Sequence, residues 1–291
     1  YCCARMARDA GVTRLLAGDG GDELFGGNTR YAKQRVFEYY QRLPARLRTH
    51  AIEPPLLGTA PLRRVPVVRK AVSYVEQART PMPDRMQAYN LLIRLSLDRV
   101  LTREFVASID PDAPLREQRE VYSASDARSL INRMLAFDWK YTLADSDLPK
   151  VIGAGTLAGI EVRFPLLENR LVDFSLRLEP EWKLKGTTLR WFFKEALRGF
   201  LPDATLAKKK HGFGLPFGLW VNRHAPLKEL ALSSLDSLRA RRIVSGEFLD
   251  QLTREYLPQA PGYYGEMVWI LVMLEQWLSA RASDSRSRTD C

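Results

Sequence analysis

Cysteine is scarce: Cys2, Cys3 and Cys291 are the only three in 291 residues. Two adjacent thiols and a remote third do not form a disulfide framework, and an odd total without Cys-x-x-Cys spacing argues against a zinc site. No apolar run approaches the roughly 18 residues that a transmembrane helix needs, and no signal-peptide pattern opens the chain. The expectation is a soluble, reduced, cytoplasmic protein with no membrane partner. Also missing is a basic stripe. The net charge is +10, from 44 basic and 34 acidic residues, a balance compatible with nucleic acid, anionic lipid or polyphosphate. Yet Lys208-Lys209-Lys210 is the only basic block, and acids are interleaved almost everywhere else. Nucleic acid is therefore not expected as a partner. Internal repeats are absent. Low complexity is confined to the Ser/Arg/Asp-rich end from Ser279, with disorder expected over 281–291. With 46% hydrophobic residues, the chain can bury one large core or two small ones.

What stands out is Arg14 to Gly27, R-L-L-A-G-D-G-G-D-E-L-F-G-G, with five glycines and three acids. Glycines this dense suit a turn that takes positive φ or approaches a ligand closely, because each loses extra backbone entropy inside a helix or strand. Asp19, Asp22 and Glu23 crowd three like charges together, which disfavours their ionised forms unless a cation or a donor array compensates. Mg²⁺ on a polyphosphate is such a compensator, since it takes one or two carboxylates plus phosphate oxygens. A plain surface turn with solvated acids is the competing reading.

Most of the remainder reads as helix. Cys2 to Ala10 is helical and runs through Gly11 into a short strand over residues 13–16. Helical spacing covers Tyr31 to Leu47, Val67 to Ala78, a long helix capped by Asp84 and reaching Leu95, Leu101 to Val106, and Ala127 to Leu143. Glu161 and Arg163 alternate with Ile160, Val162 and Phe164, so they share one side of an extended segment, where they can pair. Asn169 to Leu178 and Thr188 to Leu201 read as helices, and Glu266 to Leu278 is an apolar core helix. Lys208-Lys209-Lys210 feeds a two-glycine loop that can present an ammonium to phosphate as a point charge. One helix and one strand ahead of the glycine-rich turn cannot make a parallel sheet, so the sequence looks cut at its N-terminus.

Four segments in order, L-L-A-G-D-G-G-D-E-L-F-G-G, L-A-G-I-E-V-R-F-P-L-L-E, K-K-K-H-G-F-G-L-P-F-G-L-W and V-W-I-L-V-M-L-E-Q-W-L, resemble the glutamine-hydrolysing asparagine synthetases. The resemblance is to the C-terminal part of their synthetase domain, over roughly residues 12 to 278. It implies an α/β fold, predominantly helical: the C-terminal part of an adenine-nucleotide alpha-hydrolase-like (ATP-pyrophosphatase) domain, with one or two residual parallel strands. The domain would span 1–280. The family's N-terminal glutaminase domain and its Ser-Gly-Gly-x-Asp-Ser loop do not occur in these 291 residues. The surroundings of Cys2 do not match the glutaminase nucleophile.

The resemblance implies ATP and Mg²⁺ as cofactors, aspartate and ammonia from glutamine as substrates, and formation of β-aspartyl-AMP. It leaves room for a homodimer. It places Asp22 on Mg²⁺, Asp19 near the carboxyl group being activated, and Lys210 on the phosphates and the developing charge. Gly18, Gly20, Gly21 and Lys210 would hold the nucleotide, and Glu23, Glu161 and Arg163 would support the site. Two departures bear on substrate preference. Ile152 stands where many members have aspartate, and the acid closing the Pro-Phe-Leu-Asp motif is Glu168, reached through Leu166 rather than phenylalanine. The alternatives are a relative acting on another carboxylate, or an inactive fragment serving as a binding module.

Overall fold

The computed structural model describes the backbone of residues 1–58, 66–87, 90–208 and 214–289. It is mostly helical with a few short strands, consistent with the α/β class. The chain divides into two compact units, one formed by Tyr1–Arg85 with Glu117–Lys209 and the other by Met86–Arg116 with Lys210–Cys291. No described helix is long and apolar enough to cross a membrane.

The first unit is organised on two parallel strands. Helix α1 (Cys2–Asp9) leads to β1 (Arg14–Leu16), which pairs in register with β2 (Glu161–Arg163), Leu15 opposite Val162. Parallel pairing needs a long crossover, and here residues 17–160 intervene. Ala4, Ala158 and Ile160 form a small apolar cluster under this pair, with Leu15 packed against it. Helix α2 (Gly21–Phe25) follows β1, and α3 (Thr29–Gln41) starts at Asn28, whose side chain accepts from the Arg30 amide at 3.1 Å. That cap sets the start of a helix whose apolar spacing is legible only from Tyr31.

Helix α4 (Leu130–Asp138) is capped by Ser129, which accepts from the Asn132 amide at 3.1 Å. The chain then widens into π-helical turns over Trp139–Asp147 and re-enters α-helix as α5 (Leu148–Ala158). The expected helix over Ala127 to Leu143 is thus three consecutive helical pieces reaching Ala158. Pro149 stands in the first α-helical turn after these π-helical turns, inside a run that is helical on both sides of it. Gly155 lets α5 settle on β2, because a Cβ there would stand 2.6 Å from Val162 Cγ2.

Helix α6 (Asn169–Arg177) agrees with its sequence pattern. The expected helix over Thr188 to Leu201 does not form as such. Instead β3 (Leu184–Lys185) and β4 (Thr188–Leu189) make a two-residue hairpin with Gly186 at φ 60°, and only Trp191–Ala196 (α7) is helical. The long helix expected from Asp84 is also corrected. Asp84 begins a single 3₁₀ turn to Gln87 and accepts from Arg119 Nε and Nη2 at 2.9 and 2.6 Å. Asn90, not Asp84, caps the helix Leu91–Leu95.

The second unit packs α8 (Phe217–Arg223), α9 (Ala225–Ala240) and α10 (Pro261–Thr289) around a core that includes Val221, Leu235, Leu238, Phe248, Leu252, Met267 and Leu271. Helices α8 and α10 meet backbone to backbone, since a Cβ on Gly218 would overlap the Pro261 carbonyl and one on Gly265 would overlap Gly218. Arg241 binds Glu275 of α10 in a fork at 2.7 and 2.9 Å. The helical backbone of α10 continues past Leu278 to Thr289, into the segment whose composition predicts disorder.

Candidate active site

Residues 18–21 leave the carboxyl end of β1 and turn directly into α2. Ligand sites in parallel α/β sheets lie at that end of the strands. Gly20 has φ +90°, and a Cβ on it would overlap the Leu167 side chain, so this position requires glycine on both counts. The same loop that follows β2 supplies Leu166, whose Cδ1 would stand 2.9 Å from a Cβ on Gly21. Close approach of two loops therefore explains a pair of glycines that the sequence reading gives to a positive-φ turn or to a close approach to a ligand. Helix α2 buries Leu24 and Phe25 beneath the turn and ends at Gly26, φ 71°.

A cleft of about 340 Å³ opens over this turn, lined by Gly18, Asp19, Gly20, Gly21, Asp22, Glu23, Asp147, Leu166, Arg190 and Phe193. Asp147 arrives at the end of the π-helical turns and Arg190 directly after the β3–β4 hairpin. Phe25 of α2 packs on Phe193 of α7 with ring centroids 5.0 Å apart, which fixes the hairpin and its following helix to the turn. Arg190 forms an ion pair with Asp22 through Nη2 and Oδ1.

Below the turn lies a buried polar network. Asp138 is fully buried and accepts from the Tyr31 hydroxyl, while Arg30 Nη2 pairs with it at 2.8 Å. Arg30 Nη2 also donates to Thr142 Oγ1 at 2.8 Å. Burial raises the Asp138 carboxyl above the ordinary range, opposed by the Arg30 charge and these hydrogen bonds. Glu23 is likewise raised, first by burial, with the charges of Asp22, Asp138 and Asp147 adding to it. The Trp139 indole donates to the Glu23 carbonyl at 3.2 Å, tying the turn to the helical run beneath. Lys183 is buried as well, its Nζ 3.5 Å from Asn132 Oδ1, and burial lowers it from 10.5 to about 8.

Asp19, Asp22, Glu23, Gly18, Gly20 and Gly21 all line the cleft. Glu161 and Arg163 do pair, at 2.6 Å, but on an exposed surface with Arg14 as a second partner of Glu161, also at 2.6 Å. Neither lines the cleft. Lys210 lies outside the described residues. Asp147, Arg190 and Phe193 are lining residues that sequence reasoning missed. Asp147 carries a faint signal in Asp145-Ser-Asp147, an acid pair closing a helical pattern. Arg190 carries none, because the helix assigned to Thr188–Leu201 hides the hairpin that delivers it.

Among the described residues no three His, Cys, Asp or Glu side chains stand close enough to hold a metal ion unaided. The oxygen donors present suit Mg²⁺, which takes only one or two carboxylates when phosphates complete its shell. Asp22, on the cleft wall, offers an oxygen donor of that kind.

Comparison with known proteins identifies the family. The model of the asparagine synthase family matches residues 1–279. The chain is 24% identical over 280 residues to asparagine synthetase (glutamine-hydrolyzing) 1 of Bacillus subtilis, covering 96% of this chain and 42% of that protein. Proteins provisionally named asparagine synthetase (glutamine-hydrolyzing) in Mycobacterium bovis and Mycobacterium tuberculosis are each 26% identical over 291 residues, covering 95% of this chain and 40% of theirs. The chain therefore spans about two fifths of the length of the curated relatives it matches. No solved structure matches it. With the family model extending over nearly all the residues from which the cleft and both compact units are built, the chain belongs to the asparagine synthase family.

Proposed function

We propose that this chain is the C-terminal part of an ATP-pyrophosphatase-type synthetase domain in a longer enzyme that converts aspartate to asparagine with ammonia from glutamine. The observation that carries this reading is the cleft at the carboxyl ends of two parallel strands, walled by Gly18, Gly20 and Gly21 and by the carboxylates of Asp19 and Asp22. In the proposed reaction the aspartate side-chain carboxylate attacks the α-phosphorus of ATP and pyrophosphate leaves, giving β-aspartyl-AMP. Ammonia then attacks the acyl carbon, and AMP departs. Both steps develop negative charge on phosphate oxygens, so positioning and electrostatic stabilisation are the protein's main tasks.

Asp22 would hold Mg²⁺, which when bound neutralises phosphate charge and orients the pyrophosphate leaving group. The glycines let backbone N–H groups approach the phosphates closely. Asp19 would stand beside the carboxyl group being activated. Lys210 would contact the phosphates. The Ser-Gly-Gly-x-Asp-Ser loop and the glutaminase domain would come from other parts of the longer protein, and these 291 residues alone would not release AMP.

Leu166 favours a second reading. It lines the cleft at the position where the family motif carries phenylalanine, so a carboxylate other than aspartate is the alternative substrate. Both readings meet one experiment: pyrophosphate release by the complete gene product, measured with a panel of carboxylic acids. Stimulation by aspartate is expected. Stimulation by another acid alone would sink the asparagine assignment and keep the chemistry, whereas no stimulation by any would favour a non-catalytic binding module.

A further inference from the structure

Arg190 is the only cation among the described residues that line the cleft, facing Asp19, Asp22, Glu23 and Asp147. A polyphosphate entering such a wall meets four carboxylates and must find positive charge. Arg190 is held there by its backbone as well as its side chain. Its amide donates to the Gly26 carbonyl at 3.3 Å, at φ 53°, so the residue is tied to the end of the glycine-rich turn. A Cβ on Gly27 would overlap both Asp22 Oδ1 and Arg190 Nε, so the ion pair occupies the space that a side chain at 27 would fill. The pair remains accessible, with side-chain exposures of 35% for Arg190 and 23% for Asp22. A guanidinium has five donors in a planar fork. One edge can therefore serve Asp22 while the rest is turned toward an incoming anion.

Resting on the reading of the cleft as a metal–polyphosphate site, we propose that Arg190 is an exchange residue. Without ligand it is the counter-ion that holds Asp22 in place. When a divalent metal arrives with the polyphosphate, the metal takes the Asp22 carboxylate and Arg190 passes to a phosphate oxygen. The exchange conserves charge pairing at each stage: carboxylate with guanidinium before, carboxylate with metal and phosphate with guanidinium after. It also gives Arg190 two effects of opposite sign. It competes with metal alone for Asp22, and it assists metal together with polyphosphate. A residue that only braces the turn has no reason to do both.

The test uses the purified complete gene product, Mn²⁺ followed by the electron-paramagnetic signal of the free ion, and inorganic pyrophosphate as the probe anion. Arg190→Gln should bind Mn²⁺ alone several-fold more tightly than the parent. It should bind Mn²⁺–pyrophosphate about tenfold or more weakly, the loss expected for a charge-assisted hydrogen bond. Arg190→Lys should recover part of the second affinity, and adding Asp22→Asn to Arg190→Gln should erase the gain in Mn²⁺ binding. Far-UV circular dichroism and a melting curve report whether each variant is folded. Weakening of both affinities together would mean that Arg190 is a structural brace, and no change in either would mean that it is a bystander; either result overturns the proposal. Aspartate-stimulated pyrophosphate release by the complete gene product is read separately. The crossed pattern without that release would keep the exchange and remove the synthetase reading, and release without the crossed pattern would do the reverse.

Discussion

Each compact unit buries a carboxylate against an arginine, and the two behave in opposite ways. In the helical second unit, Arg241 grips Glu275 in a fork and Ser279 Oγ adds a third donor at 2.7 Å. The guanidinium outweighs burial there, and the carboxyl is held below its ordinary value. Under the cleft, Asp138 has Arg30, Tyr31 and Thr142, yet burial wins and the carboxyl is raised. Glu23, next to it on the cleft wall, is raised for the same first reason. A scaffold carboxylate is fully answered by its partner. Glu23 on the cleft wall and Asp138 beneath it are instead raised, chiefly because burial disfavours their charged forms.

The strongest way to break this contrast is Asp138→Ala. It strands Arg30 and Tyr31 in the interior, and removing one partner of a buried pair costs about 3–5 kcal/mol. Urea unfolding at neutral pH should show that loss, and a loss under about 1 kcal/mol would mean that water reaches the site and the network is not a structural unit. The same contrast has a pH signature. A raised carboxyl binds more protons in the folded than in the unfolded state. The stability that Asp138 and Glu23 contribute is therefore complete below their unfolded values and falls as pH rises through their folded ones. Glu275 runs the other way, its contribution being present above 4.5 and lost as pH falls through its depressed folded value. Glu275→Gln should flatten the acid limb of a stability–pH curve, and Asp138→Asn should flatten the fall on the higher-pH side of the ordinary carboxylate value.

Lys183 sharpens the comparison from the cationic side. It is 4% exposed, and burial alone lowers it to about 8 from 10.5, with Asn132 as its polar neighbour. The folded state binds fewer protons than the unfolded state between those values, so stability rises with pH across that window. At pH 7 the ammonium is retained at a cost of about 3 kcal/mol. Lys183→Met should therefore stabilise the protein at pH 7 by roughly 1–3 kcal/mol and remove the rise in stability between pH 8 and 10.5. A destabilised variant would show that the Asn132 contact, and not burial, governs this position.

The glycine–acid turn was legible because glycines this dense are costly inside a helix or strand; Gly20 has positive φ and close neighbours, Gly21 a close neighbour, and Gly18 neither. Local periodicity likewise locates α1, α3 and α6 within a few residues. The supporting network was hidden for a physical reason. Asp138 sits at helical spacing among Ile131, Met134, Leu135 and Phe137, and apart from Thr142 one turn on its partners, Tyr31 and Arg30, are 107 and 108 positions away. Pairing over that distance leaves no local trace. Arg190 was hidden because the strand Thr188–Leu189 and the left-handed backbone of Arg190 itself interrupt a segment, Thr188–Leu201, whose apolar spacing reads as one helix. The continuous run from α4 to α5 was obscured by Pro149, a residue that usually ends a helix, and by Gly155, whose role is a close approach to Val162.

The smallest effect is expected where the sequence pattern was clearest. Glu161 and Arg163 share one side of β2 as their alternation requires, and Glu161 takes Arg14 Nε on one oxygen and Arg163 Nε on the other, each at 2.6 Å. The two arginines hold the Glu161 carboxyl below its ordinary value, Arg14 first. All three side chains are exposed, at 56% for Arg14, 44% for Glu161 and 60% for Arg163. Water screens such charges and ordering three long side chains opposes the attraction, so Arg163→Ala should leave the urea midpoint almost unchanged, and more so at high salt. The variant should also leave Mn²⁺–pyrophosphate binding unchanged, since Arg163 stands outside the cleft. A loss of binding equal to that of Arg190→Gln would mean that the strand surface and the cleft are one site, and that the division between answered and unanswered charge drawn from Glu275 and Asp138 does not describe this half of the chain.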